Sequence, residues 1–297
     1  MDNRSDIRDF LSTRRARITP EQAGLLPGSG RRRVPGLRRE EVAVLAGVST
    51  DWYTRLEKGH ITGVSEDVLE AVARALQLDE AERTYLFDLA RAAATKPART
   101  PQRRGSAPVP PRVQWMLNSM TGSAAFVANG RLDILATNTL GWALHSPMFE
   151  APRRPANFAR FQFLDVRAHD YYQDWASAAN ITVALLRTEA GRRPHDASLR
   201  ELVGELSTVS EEFRTRWAAH DVRIHHNGVK HFHHPVVGGL DLTYCTLDLP
   251  AEGSADLRLT IYTAEPGTPS EDGLKLLASW AATAPEASPA ATDRPVS

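Results

Sequence analysis

Residues 38–58, RREEVAVLAGVSTDWYTRLEK, constrain the fold more than any other stretch of this chain. They read as two short helices joined by a tight turn. Gly47 opens the turn, where a positive φ is needed and glycine adopts it without steric cost. Ala43 is small where the helices must cross closely. Val42, Ala46, Val48, Tyr53 and Leu56 give both helices an apolar inner face, and Ser49 is a good N-cap for the second. A plain helical hairpin requires only the glycine; here seven further positions fit around it. Such a unit lays its second helix in the DNA major groove.

The flanking sequence extends this unit into a five-helix bundle over residues 1–93. A first helix is expected near Ser5–Arg17, with Ile7, Phe10 and Leu11 inward. Ser65 is placed to cap a fourth helix, whose Val68, Leu69, Val72, Ala73 and Leu76 share one face. Asp79 followed by Glu82 forms a capping box for a fifth. The charge agrees. The chain has 36 basic and 36 acidic residues, but residues 1–112 hold 20 of the basic and 15 of the acidic ones. The basic excess thus lies with the proposed DNA-binding unit, where phosphates must be neutralised.

Residues 94–112 are rich in Pro and Arg and read as a linker. A second domain is expected over 113–283. AAFVA (124–128) and LDILAT (132–137) flank Asn129-Gly130 as a hairpin, and a helical middle runs from about Thr139 to His220. VRIHH, VKHFHHPVV, LDLTYCTLDL and LRLTIYTA then read as strands. Thr268-Pro-Ser-Glu271 reads as a capping box opening a last helix to about Ala282. This order predicts an α+β domain with one antiparallel sheet, so the chain is multidomain. The Ala/Pro/Ser-rich tail, 284–297, reads as disordered.

Length, 297 residues, suits about two domains. One cysteine, Cys245, excludes an internal disulfide and suits a reducing cytoplasm; on a strand it reads as a buried apolar residue. No run of roughly 18 apolar residues predicts a membrane span, and MDNRSDIRDF lacks a signal-peptide core. No nucleophile elbow, phosphate loop or zincin helix is present, so no enzyme activity, no metal and no cofactor are expected.

The residues resemble the MmyB-like helix-turn-helix regulators of bacteria, a repressor-like (XRE) group. In the first domain the resemblance rests on Gly36-Leu37-Arg38-Arg39-Glu40-Glu41-Val42-Ala43, Leu45-Ala46-Gly47-Val48-Ser49 and Trp52-Tyr53-Thr54-Arg55-Leu56-Glu57. In the second it rests on Asp174-Trp175, Ala190-Gly191-Arg192, Leu202-Val203-Gly204-Glu205-Leu206, Trp217, His220-Asp221-Val222, and Phe232-x-His234-Pro235-Val236-Val237-Gly238. The resemblance implies a repressor-like DNA-binding domain followed by a PAS-like ligand-binding domain, which in a relative is thought to hold a fatty acid. This chain departs from the family with His60 and Val64 after the reading helix, so the loop GHITG offers little positive charge. It departs again with Thr137-Asn138 where a Trp-Asn pair is usual.

By this analogy Thr50, Asp51 and Arg55 read bases from one helical face. Arg55 pairs with guanine and Asp51 accepts from cytosine, each worth about 1–3 kcal/mol of discrimination. Ser49, Trp52 and Lys58 flank them. Arg38 and Arg39 meet phosphate at a helix start, and Arg31, Arg32 and Arg33 reach toward the backbone from a loop. Glu57 is expected to pair with a first-helix arginine, Arg15, rather than touch DNA. A single unit buries little, so a homodimer on a near-palindromic operator is expected. For the second domain, Trp115, Phe126, Leu135, Trp142, Phe161, Phe163, Trp175 and Tyr244, with His234 near a polar end, are the candidate walls of a pocket for a small apolar or fatty-acid-like molecule. The alternative is a metal- or pH-responsive regulator using the cluster His220, His225, His226, His231, His233 and His234. A third reading is an enzyme with a DNA-binding appendage.

Overall fold

The computed structural model describes residues 3–25, 36–94, 109–150, 155–222, 227–249 and 257–283. The elements in chain order are α1 (Asn3–Arg17), α2 (Arg39–Leu45), α3 (Thr50–Glu57), α4 (Glu66–Ala75), α5 (Glu80–Ala94), α6 (Pro111–Ser119), β1 (Ala124–Asn129), β2 (Ile134–Thr137), α7 (Thr139–Leu144), α8 (Ser146–Phe149), α9 (Phe158–Leu164), α10 (Ala168–Tyr171) and α11 (Trp175–Arg192). They continue with α12 (Ala197–Val209), α13 (Glu211–Ala218), β3 (Asn227–His234), β4 (Gly238–Leu249), β5 (Leu257–Thr263) and α14 (Pro269–Thr283).

Two compact units form, and their division is not the sequence boundary. The first takes residues 1–102 together with 183–224; the second takes 103–182 and 225–297. The division expected from the sequence, a linker at 94–112 and one domain over 113–283, follows the chain; by packing, the end of α11, α12 and α13 group with the helix-turn-helix. Amphipathic periodicity marks a helix's apolar face but says nothing about which core that face enters.

In the first unit, Ile7, Phe10, Leu11, Leu37, Val42, Tyr53, Leu56, Leu69, Val72, Tyr85, Leu86 and Leu89 form the core, joined by Val222 from the second segment. Gly47 takes φ +67, and the Val48 N–H donates to the Ala43 carbonyl at 2.9 Å, closing the turn between α2 and α3. Asp79 and Glu82 cap α5 reciprocally: Glu82 N–H donates to Asp79 Oδ1 at 2.8 Å, and Asp79 N–H to Glu82 Oε2 at 3.1 Å. Ser65 has N-cap geometry for α4, yet its side chain accepts no capping hydrogen bond.

Buried polar groups tie the second segment of this unit to the first. Arg187, 1% exposed, reaches Asp6 of α1 at 3.8 Å, while its Nη1 donates to His220 Nδ1 at 2.9 Å and its guanidinium stacks on Trp217 at 4.0 Å within the second segment. Arg14, 2% exposed, pairs with Glu82 at 2.6 Å, and its Nη2 donates to the His220 carbonyl at 2.6 Å. Arg192 reaches Asp88 at 3.1 Å. Two nearly inaccessible guanidiniums are costly unless paired, so this geometry is strongly specified.

The second unit is built on an antiparallel sheet of order β2-β1-β5-β4-β3. β1 is buried along its whole length, whereas β4 alternates buried and exposed. The continuous apolar run of β1 therefore sits between two covered faces, and β4 has one solvated face. On one face Phe126, Phe232, Leu240, Leu242, Tyr244 and Tyr262 pack with Leu140, Ala143, Leu144, Leu274 and Leu277. On the other, Ala125, Val127, Ala136, Leu257 and Leu259 pack with Leu117 of α6. Cys245 is exposed, not buried, because it alternates with inward Tyr244. At α14 the reciprocal capping box does not form: Glu271 accepts from the Gly267 N–H at 2.9 Å, and the Thr268 hydroxyl turns to the Glu265 carbonyl. Of the expected strand VRIHH, residues 223–226 lie outside the described residues, as do most of the linker and the tail 284–297.

Candidate functional site

Helix α3 begins at Ser49, whose Oγ accepts from the Trp52 N–H at 3.2 Å. That cap leaves Thr50 and Asp51 exposed in the first turn, with exposed Arg55 one turn on and Lys58 just beyond. Tyr53, Leu56 and Glu57 are buried on the opposite side. Trp52 is half-buried against the first-unit core, so its ring is partly scaffold.

Glu57 fixes the presentation of this helix. It is 1% exposed and is held by two arginines. Arg15 grips it at 2.8 and 3.2 Å, with a third bond to the Leu37 carbonyl at 2.8 Å. Arg39 reaches the same carboxylate at 3.0 Å. The Arg15 partnership is as the sequence predicts. Arg39, expected on phosphate, lies on Glu57 with its side chain about half exposed (48%). Arg38 is exposed beside Glu40, and its own N–H donates to Glu41 Oε2 at 2.6 Å, which caps α2. Arg31, Arg32 and Arg33 lie outside the described residues.

Of the nine pocket candidates of the second unit, seven lie in or beside one core and two do not. Phe126, Phe161, Tyr244, Trp142 and Trp175 belong to the core under one sheet face. Phe163 touches that group through Trp175, ring centres 6.0 Å apart. Leu135 packs on the other face, and Trp115 is 71% exposed on α6. His234 is buried beside the core; its Nε2 meets the Ala143 carbonyl at 3.1 Å, and its Nδ1 accepts from the Val236 N–H at 3.2 Å.

Two residues absent from that set lie among the rings of this core. His145 has no exposure and sits among the rings of Phe158 (5.1 Å), Phe126 (5.3 Å), Tyr262 (5.8 Å) and Phe232 (6.2 Å). The Tyr171 hydroxyl donates to the Leu144 carbonyl at 2.7 Å, so His145 Nδ1, 3.1 Å away, donates to that hydroxyl. Nε2 is then an acceptor, and it has no partner among the described residues. Burial, with smaller contributions from Lys230 and His234, pulls this imidazole down to about 3. Lys230 projects on the same side of β3 as Phe232 and His234, with its ammonium over Tyr172 (5.7 Å) and Tyr244 (5.9 Å). Burial pulls its pKa down to about 8, and among the described residues no carboxylate pairs with it. The sequence signals were weak: one histidine in the apolar run TLGWALHSPMF, and one lysine in strand register with Phe232.

The histidine cluster is dispersed. His220 belongs to the helical unit, where burial and then Arg187 lower its pKa to about 4. His231 and His233 are exposed on the outer side of β3, with His231 on Asp241 at 2.6 Å, while His234 points inward. His225 and His226 lie outside the described residues. Among the described residues no group of three or more His, Cys, Asp or Glu is placed to hold a metal ion. Nor is any helix among them long and apolar enough to cross a membrane.

Comparison with known families agrees with the geometry. The model for a helix-turn-helix domain matches residues 9–86, and the model for the MmyB-like transcription regulator ligand binding domain matches residues 109–277. No curated protein matches the chain. With more than half of its length matched in this order, the chain belongs to the MmyB-like transcription regulators and is a ligand-responsive, DNA-binding regulator of transcription.

Proposed function

We propose that this protein is a cytoplasmic, non-enzymatic repressor that binds a near-palindromic operator as a homodimer and is released or engaged by a small apolar or fatty-acid-like molecule. The observation that carries the DNA half is the exposed face of α3. Thr50, Asp51 and Arg55 stand on a helix whose back is fixed by Tyr53, Leu56 and the Arg15–Glu57–Arg39 triad. Arg55 reads guanine and Asp51 a cytosine; Ser49, Lys58 and Arg38 position the backbone, with Trp52 at the edge. Two such helices in one dimer set the half-site spacing.

The ligand half is supported by the ring cluster around His145. Phe126, Phe161, Trp142, Trp175 and Tyr244 supply apolar surface, with His234 at its edge. A buried acceptor without a donor costs about 1–3 kcal/mol. A ligand hydroxyl or protonated head placed at His145 Nε2 would recover that cost, and Lys230 would face an ionised one.

Selection of operator sequences from a random duplex pool with wild type and with Arg55→Ala tests the first half. Wild type should enrich a two-fold symmetric motif, and Arg55→Ala should lose discrimination while keeping weak, salt-sensitive binding. Equal enrichment by both proteins removes α3 as the reader. Mass spectrometry of an organic extract of the purified protein tests the second half, and a stoichiometric amphiphile is the expected result.

A further inference from the structure

Two clefts open beside the C-terminal end of α3, and they share Arg55, His60 and Thr62. The smaller, about 320 Å³, also takes in Trp52 and Ser65. The larger, about 480 Å³, runs on to Arg4 and His195. Neither is lined by Asp or Glu. The negative charge closest in sequence to Arg55 on the helix's inner side, Glu57, is consumed by Arg15 and Arg39.

Gly59 creates the larger cleft's shape. It takes φ +90, and a Cβ there would lie 2.6 Å from the Arg4 carbonyl oxygen, so only glycine lets the loop press onto the first turn of α1. That approach sets the Arg4 guanidinium against His60, Nη2 to Nδ1 at 2.9 Å, across 56 residues of sequence. Both side chains are exposed. The loop after α3 has little charge of its own; α1 supplies the cation from the side.

We propose that Arg4 and His60 form a phosphate-binding site that grips the DNA backbone beside the base-reading face, the ligand group being a phosphodiester. This rests on the reading that α3 enters the major groove. The groove is about 12 Å wide and walled by phosphates, so a cation that shares a cleft with a base-reading arginine, but is rooted in another helix, meets the wall. A phosphodiester oxygen offers the guanidinium a charge-assisted bond, roughly twice as strong as one to a neutral imidazole.

The test is titration of a fluorescein-labelled, random-sequence duplex of about 24 base pairs at several salt concentrations, with wild type, Arg4→Ala and Arg4→Lys. Arg4→Ala should lower affinity several-fold and reduce the slope of log affinity against log salt by about 1, while Arg4→Lys keeps the slope. A purely structural role would shift the melting temperature without moving the salt slope. If wild type binds and Arg4→Ala matches it in affinity and slope, the proposal is overturned. If wild type binds no duplex, the reading of α3 fails separately, and inorganic phosphate titrated against the His60 imidazole NMR signals decides the site. A shift that is lost in Arg4→Ala then makes it a site for free phosphate and overturns the DNA assignment; no shift overturns the site altogether.

Discussion

Single residues carry opposite burdens in the two units. Glu57 shows how a charge can be scaffold: it is buried, and Arg15 and Arg39 satisfy it from two helices. Removing it leaves two arginines facing each other without their anion. Glu57→Ala should therefore destabilise the first unit by about 3 kcal/mol in urea unfolding, with the loss of stability preceding any loss of base discrimination. His145 is the counterpart in the second unit. Its imidazole titrates at 6.5 when unfolded and is held down at about 3 when folded. The unfolded chain thus binds the proton first as pH falls, and stability is lost between about pH 6.5 and about pH 3. The slope contributed is on the order of 1 kcal/mol per pH unit. Melting temperatures across this window should fall less steeply for His145→Phe than for wild type; equal slopes would show that His145 is not held neutral by burial. The Glu57–Arg15 pair was legible in the sequence because the fold family fixes both positions. His145 was not, since a lone histidine in an apolar run gives no sign of how many rings will close around it.

At the scale of elements, local chemistry was read well wherever it was short-range. Gly47, the Ser49 cap and the Asp79–Glu82 box all take the geometry their sequence spacing dictates. Gly47→Ala should cost about 1 kcal/mol from the left-handed backbone alone, since no atom lies within 4 Å of the Cβ it would add. Gly47→Asn should cost less, because asparagine visits that region more readily. Comparable melting temperatures for both variants and wild type would refute this account of the turn. Ser65 holds the N-cap position of α4 without a side-chain capping bond, and at α14 two local partners compete: Thr268 gives its hydroxyl to the Glu265 carbonyl while Glu271 reaches past it to the Gly267 N–H. Cys245 fell on the exposed side because strand alternation assigns faces relative to Tyr244, and hydrophobicity alone does not fix that register.

At the scale of the whole molecule, the segment matched to the ligand-binding family lends residues 183–224 to the unit that holds the helix-turn-helix. A fragment ending at residue 112 would lack Arg187, His220 and Val222, and so part of its own core. It should melt on the order of 5–10 °C below the corresponding transition of the full chain, given the loss of about 1 kcal/mol or more. A fragment as stable as the full chain would restore the division at the linker. The sequence by itself determined the two kinds of architecture, the turn of the helix-turn-helix and the exposed face of α3, and the family resemblance added the Glu57–Arg15 pair. All of these follow from spacing along one or two adjacent elements and from motifs that fix their partner. Only the tertiary structure decided that α12 and α13 join the helical unit, that His145 and Lys230 lie among the rings, that Trp115 and Leu135 do not, and that Arg4 meets His60. Each of those rests on contacts between residues distant in the chain. No periodicity encodes such contacts, because a helix or strand declares which face it will bury but not what it will be buried against.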